Sequence, residues 1–243
     1  FLPNQELVST ASALNLLYPQ ESYPENLSYW LYRLRPRYSN GLPEGNQISF
    51  NTSHRMLKFA ASTPESLLIQ FDPEVASCLW VLDPVYSAGN PDIPKITLQA
   101  LSISNLDRIA SDSLWEEGPP ADLFGEELPH GWCYLFQKAD LARQMGDWKR
   151  VIELGEEANN QGFSPAQYPS NSPYEWTPFI EGYLHQERWD EARDLTLASY
   201  NYMPKYGPML CDLWQRTAAD LSSSADAVET YSSMVVQLGC ETE

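Results

Sequence analysis

From Trp132 onward the apolar positions recur with the 3.6-residue period of a buried helix face. Trp132, Leu135, Phe136, Ala139 and Ala142 make one stripe. Gly146 is a natural stop for that helix, and Asp147 a natural cap for the next. The next helix carries Trp148, Val151, Ile152, Gly155 and Ala158 inward and ends near Gly162. So short a turn predicts that the two helices lie antiparallel. The pattern then recurs. Trp176, Phe179, Ile180, Tyr183 and Leu184 form one stripe, and Trp189-Asp190-Glu191-Ala192, Leu195 and Ser199 form its partner, ending before Pro204. In a third pair, Leu210, Leu213, Trp214, Ala218 and Leu221 precede Val228, Tyr231, Val235 and Leu238, with Gly239 as the stop.

The N-terminal half changes period. Leu7, Ala11, Leu14 and Leu17, then Leu27, Trp30, Leu31 and Leu34, have helical spacing, so residues 1–35 are predicted to be mostly helical up to Pro36. Short runs follow, bounded by Ser, Asp and Pro: Ile48 with Phe50, Met56–Phe59, Leu67–Phe71 and Cys78–Leu82. They predict about four strands. A further helix is predicted over Ile96–Ile109. The expected fold class is α+β. A small antiparallel sheet with flanking helices occupies residues 1–115, a Pro- and Glu-rich linker 116–131, and an all-α array of about three helix pairs 132–243.

Gly146-Asp147-Trp148 and Arg188-Trp189-Asp190-Glu191-Ala192 resemble the turn between the two helices of a tetratricopeptide repeat. Trp176, Phe179, Tyr183, Ala192 and Pro204 match that family's large, aromatic, small and proline positions; Trp148 and Trp189 follow the turns. Lys138, Val151 and Gly155 depart from the pattern in the first pair, and the third pair matches by period alone. The resemblance covers about 132–238. It implies a tetratricopeptide-like stack that serves as a platform for a protein or peptide partner.

In plan, the region Arg33–Pro43 followed by the Trp132 helices resembles the soluble C-terminal portion of bacterial polytopic membrane proteins of glycosyltransferase type. That resemblance implies an extracytoplasmic or membrane-tethered location. It also offers a second reading: an accessory domain that helps position a lipid-linked sugar donor. The chain opens on Phe1, not Met, which raises the expectation of upstream sequence carrying a membrane tether.

Charge narrows the partner class. Thirty-three acidic residues against 15 Lys and Arg give a formal net charge of -18, so no nucleic-acid partner is expected. Against that background Arg33, Arg35, Arg37, Arg55 and Lys58 cluster with Glu44 as the lone acid among residues 33–58. Tyr29, Trp30, Tyr32 and Tyr38 lie beside them. The cluster is a candidate anion contact, for a lipid headgroup or a pyrophosphate-linked glycan, or it pairs with the acidic remainder of the chain. Cys78, Cys133, Cys211 and Cys240 show no C-x-x-C spacing. They are read either as buried thiols or, for Cys211 and Cys240, as a bridge within the last helix pair.

Catalytic signals are sparse. Asp72-Pro73 and Asp83-Pro84 end apolar strands, but opposite ends of a hairpin would separate them by roughly 16 Å at about 3.3 Å per residue. A glycosidase pair needs roughly 5–9.5 Å. His54, His130 and His185 have no metal-ligand spacing, and no phosphate loop or nucleophile elbow is present. Asn26-Leu27-Ser28 and Asn51-Thr52-Ser53 are glycosylation sequons. The resulting expectation is a non-catalytic interaction or scaffold module with no cofactor, no metal and no catalytic residue.

Overall fold

The computed structural model describes residues 6–17, 26–34, 49–54, 57–109, 121–126, 129–166, 172–220 and 225–240. The fold is α+β. Its elements are α1 (Glu6–Leu17), β1 (Ser49–His54), β2 (Leu57–Ser62), β3 (Ile69–Gln70), β4 (Trp80–Val81), α2 (Lys95–Leu98), α3 (Ala121–Phe124), α4 (Trp132–Gln144), α5 (Trp148–Asn160), α6 (Thr177–His185), α7 (Trp189–Tyr202), α8 (Gly207–Asp220) and α9 (Ala225–Leu238). The four strands form two two-stranded sheets, β1–β2 and β3–β4. The chain divides into two compact units. The first holds residues 1–71, 81–88 and 93–129; the second holds 72–80, 89–92 and 130–243.

In the first unit β1 and β2 pair antiparallel from Ser49↔Ser62 to His54↔Leu57. Phe50, Thr52, Phe59 and Ala61 share the half-buried face, as a period of two requires. The predicted helix through Leu27, Trp30, Leu31 and Leu34 does not form. Residues 26–34 are irregular instead: Asn26 bridges Lys58 of β2, and Leu27 N–H donates to Lys58 O at 2.7 Å. Two interactions outcompete the helix. Trp30 and Tyr32, two residues apart, reach Phe59 and Phe50 with ring centroids 6.5 and 4.9 Å apart. The Asn15 side chain accepts from the backbone of Ser28 and Tyr29 and donates to Tyr29 O, occupying groups a helix would need.

The predicted helix over Ile96–Ile109 is also broken. It consists of α2 and two 3-10 turns, Leu101–Ile103 and Leu106–Arg108. Ser104 Oγ accepts from Leu68 N–H, Asn105 N–H donates to Ser66 O, and the Asn105 side chain donates to Pro64 O. These long-range bonds replace the ladder of a continuous helix. Of the predicted linker, residues 116–120 and 127–128 lie outside the described residues, and α3 forms within the remainder.

The second unit is three helix pairs, α4/α5, α6/α7 and α8/α9. The first helices pack in sequence, α4 on α6 and α6 on α8, while α6 also packs on α5 and α8 on α7. Most of the predicted inward residues are buried: Trp132, Leu135, Phe136, Ala139, Val151, Ala158, Trp176, Phe179, Ile180, Leu184, Ala192, Leu210, Leu213 and Trp214. The last predicted stripe departs: Leu238 is buried, but Val228 is exposed and Tyr231 and Val235 are half-buried. Gly146, at φ 70, makes the left-handed turn between α4 and α5, and Asp147 caps α5 by accepting from Arg150 N–H at 3.1 Å. The departures in the first pair have a steric reason. A Cβ on Gly155 would stand 2.9 Å from the Phe179 ring, and one on Gly182 2.7 Å from Val151. Glycine on each helix receives a bulky side chain from the other.

Two disulfides fix this unit. Cys211–Cys240 ties α8 to the end of α9, the bridge that the sequence left as one of two alternatives. Cys78–Cys133, across 55 residues, was not foreseen; it ties residues 72–80 to the first turn of α4.

Candidate interaction surface on the helical unit

A groove of about 550 Å³ opens where the start of α7 meets α9. Its charged lining comes from Glu187, Asp190, Glu191, Asp226 and Glu229, with Arg188 and Arg193. The local sequence explains both walls. Glu187 takes a left-handed backbone, φ 55, in the tight α6–α7 turn, and places Arg188 ahead of α7. Arg188 pairs with Glu156 of α5 at 2.8 Å and with Glu191 at 2.9 Å, and lies over the Tyr183 ring. These hydrogen bonds hold its guanidinium above, and the Glu191 carboxyl below, their ordinary ranges. Arg193 pairs with Asp190 and Asp194. Both cations are therefore engaged by acids. Glu187, Asp226 and Glu229 make no ion pair among the described residues, so the groove presents net negative charge.

The core beneath is organised by a carboxylate. Glu175 is fully buried and accepts from Trp80 Nε1 at 2.9 Å and from Trp132 Nε1. Burial pushes its pKa up to about 7, against the pull of the two indoles and the backbone amides of Ser172 and Cys78. Both tryptophans flank the Cys78–Cys133 bridge in sequence. A second polar contact joins residues 89–92 to the helices: the Tyr206 hydroxyl donates to Asp92 and shares a 2.8 Å hydrogen bond with Ser172. Burial and then that acceptor raise the Tyr206 pKa. Glu175 and Tyr206 close polar networks inside the unit.

The other sequence candidates are engaged locally. Asp72 and Asp83 each cap their own turn, accepting from Glu74 N–H at 3.1 Å and Val85 N–H at 2.8 Å. His130 stacks on Tyr134 and His185 on Trp148. Among the described residues no group of three or more potential ligands could hold a metal ion, and no helix is long and apolar enough to cross a membrane. Of the proposed anion contact, Arg33 is half-buried and already engaged, and Lys58 is exposed on β2. Arg35, Arg37 and Arg55 lie outside the described residues. Among the repeat-signature residues Trp176, Phe179, Tyr183 and Ala192 are buried, Trp148 and Trp189 half-buried, and exposed Pro204 opens the turn before α8.

Glu175 gave no signal in the sequence, because its partner Trp80 stands 95 positions away. The acidic groove likewise joins residues that only the α7–α9 packing brings together. Fold and surface thus define a stacked helix-pair unit with an acidic groove. In comparisons with known proteins, no protein family, no curated protein and no solved structure matches this chain.

Proposed function

We propose that the chain is a non-catalytic interaction module whose helix-pair stack, tetratricopeptide-like in plan, holds a cationic, extended segment of a partner protein. The observation that carries this reading is the α7–α9 groove, where three carboxylates that make no ion pair among the described residues lie beside two arginines already paired with acids. A Lys- or Arg-rich segment would gain charge-assisted contacts there without displacing an existing pair. The two disulfides support an extracytoplasmic setting, where such bridges form and persist. Calorimetric titration of the full chain with a Lys/Arg-rich peptide and with an Asp/Glu-rich peptide tests the reading. The basic peptide is expected to bind with salt-sensitive affinity and the acidic one not at all. Equal binding, or none, overturns it.

A further inference from the structure

The second helices of the three pairs share a pattern of buried positions. Val151 and Ala158 on α5, Ala192 and Ser199 on α7, and Ala227 and Met234 on α9 are all buried and share one spacing, which sets the three helices in a common register. In that register Gly155, Thr196 and Tyr231 are equivalent. Gly155 receives the Phe179 ring of α6. Thr196 receives Trp214 of α8, whose indole N–H donates to Thr196 Oγ1 at 3.0 Å. Each second helix thus takes one large aromatic from the next first helix at the same place.

Tyr231 is the third such place. Val228 stands where Ile152 faces Gly182 of α6, and Val235 where Tyr200 packs on Gly207 of α8. On α5 the equivalent Ile152 is covered, at 8% exposed. On α9 the row is open: Val228 is 56% exposed, and Tyr231 and Val235 are half-buried. Helical stacks ordinarily end on a polar face. Here the row on α9 is apolar at all three places, where α5 carries Asn159 and α7 carries Arg193.

We propose that this row of α9 docks an amphipathic helix of another protein, seated as α6 seats on α5 and α8 on α7, with a large aromatic over Tyr231. The argument for this occupant is continuity with an interface the chain already makes twice. A net charge of -18 opposes a second copy and favours a helix whose outer face is cationic. The Cys211–Cys240 bridge fixes α8 and α9 together before the helix arrives, which lowers the ordering cost of binding. This inference rests on the interaction-module reading but uses a different face of α9 from the groove, which takes Asp226, Glu229, Thr230 and Ser233.

The test is fluorescence anisotropy of a labelled peptide with the α8 sequence, Gly207–Asp220, carrying Cys211→Ser and Asp212→Lys, titrated with the full chain. Saturable binding in the range of about 10 µM is expected, with at least a tenfold loss in the Val228→Lys variant. The Val228 side chain is exposed, so the variant's circular dichroism and melting curve should match the parent's. A scrambled peptide should not bind. No saturable binding, equal binding of the scrambled peptide, or an unaffected variant overturns the proposal. A dimer in sedimentation equilibrium that the same variant dissolves overturns it too, by showing a second copy as occupant. If the Lys/Arg-rich peptide binds while the helix peptide does not, this inference alone fails; the converse result removes the groove reading alone.

Discussion

The Glu175 carboxylate accepts the Trp80 indole N–H at 2.9 Å across 95 positions of chain, and by doing so holds residues 72–80 against the helix pairs. Glu175→Ala leaves two buried indole N–H groups, those of Trp80 and Trp132, without an acceptor. The expected loss is about 3–5 kcal/mol in urea denaturation, while Trp80→Phe, which removes one donor, should cost less. The same carboxylate imposes a pH dependence. Its folded pKa, raised from 4.5 to about 7, lies above its unfolded value, so its contribution is complete below about pH 4.5 and lost as pH rises through about 7. Exposed acids such as Glu65 and Glu191, with lowered pKa, act in the opposite sense and lose their contribution as pH falls. Subtracting the pH profile of Glu175→Gln from that of the parent isolates the Glu175 share. It should decline by about 3 kcal/mol between pH 4.5 and 8.

Reduction should separate the two bridges by loop length. Cys78–Cys133 closes 55 residues and Cys211–Cys240 closes 29, so the chain-entropy estimate puts each near 4 kcal/mol, the former slightly larger. The Cys78→Ser/Cys133→Ser and Cys211→Ser/Cys240→Ser pairs, compared by thermal melting, should both lose stability on that scale. Thiol titration of the unreduced, denatured protein should find no free cysteine.

The close approach of α5 and α6 makes Gly155 sensitive to one added methyl group. In an open helix Gly→Ala would stabilise by about 1 kcal/mol. Here the new Cβ would meet the Phe179 ring at 2.9 Å, and overpacking should reverse the sign, to a loss of about 1–3 kcal/mol in denaturant unfolding. Phe179→Leu in the same chain should recover part of the loss. Its failure to do so would place the strain elsewhere.

These positions show how much of the fold was legible. The helix pairs were, because their apolar stripes are local and each ends on a cap or stop such as Asp147 or Gly239. The N-terminal segment was misread because Leu27, Trp30, Leu31 and Leu34 satisfy a helical period while Trp30 and Tyr32 also satisfy a strand period; the choice is made by Asn15, Phe50 and Phe59. The break in residues 95–109 was hidden for the same reason, since its cause is the bonding of Ser104 and Asn105 to residues 64–68. The Cys78–Cys133 bridge and the Glu175 network depend on residues 72–80 joining the helical unit, which no periodicity encodes. The location of the acidic groove depends on how α7 packs on α9, which no local pattern encodes.

The most direct test of the interaction-module account is calorimetric titration of a Lys/Arg-rich peptide into the Glu187→Gln/Asp226→Asn/Glu229→Gln variant, beside the parent protein. All three side chains are exposed and unpaired among the described residues, so the fold should be unaffected. The account predicts that affinity falls at least tenfold, about 1.4 kcal/mol, and that its salt dependence becomes shallower. Unchanged affinity and salt dependence in the variant would contradict it.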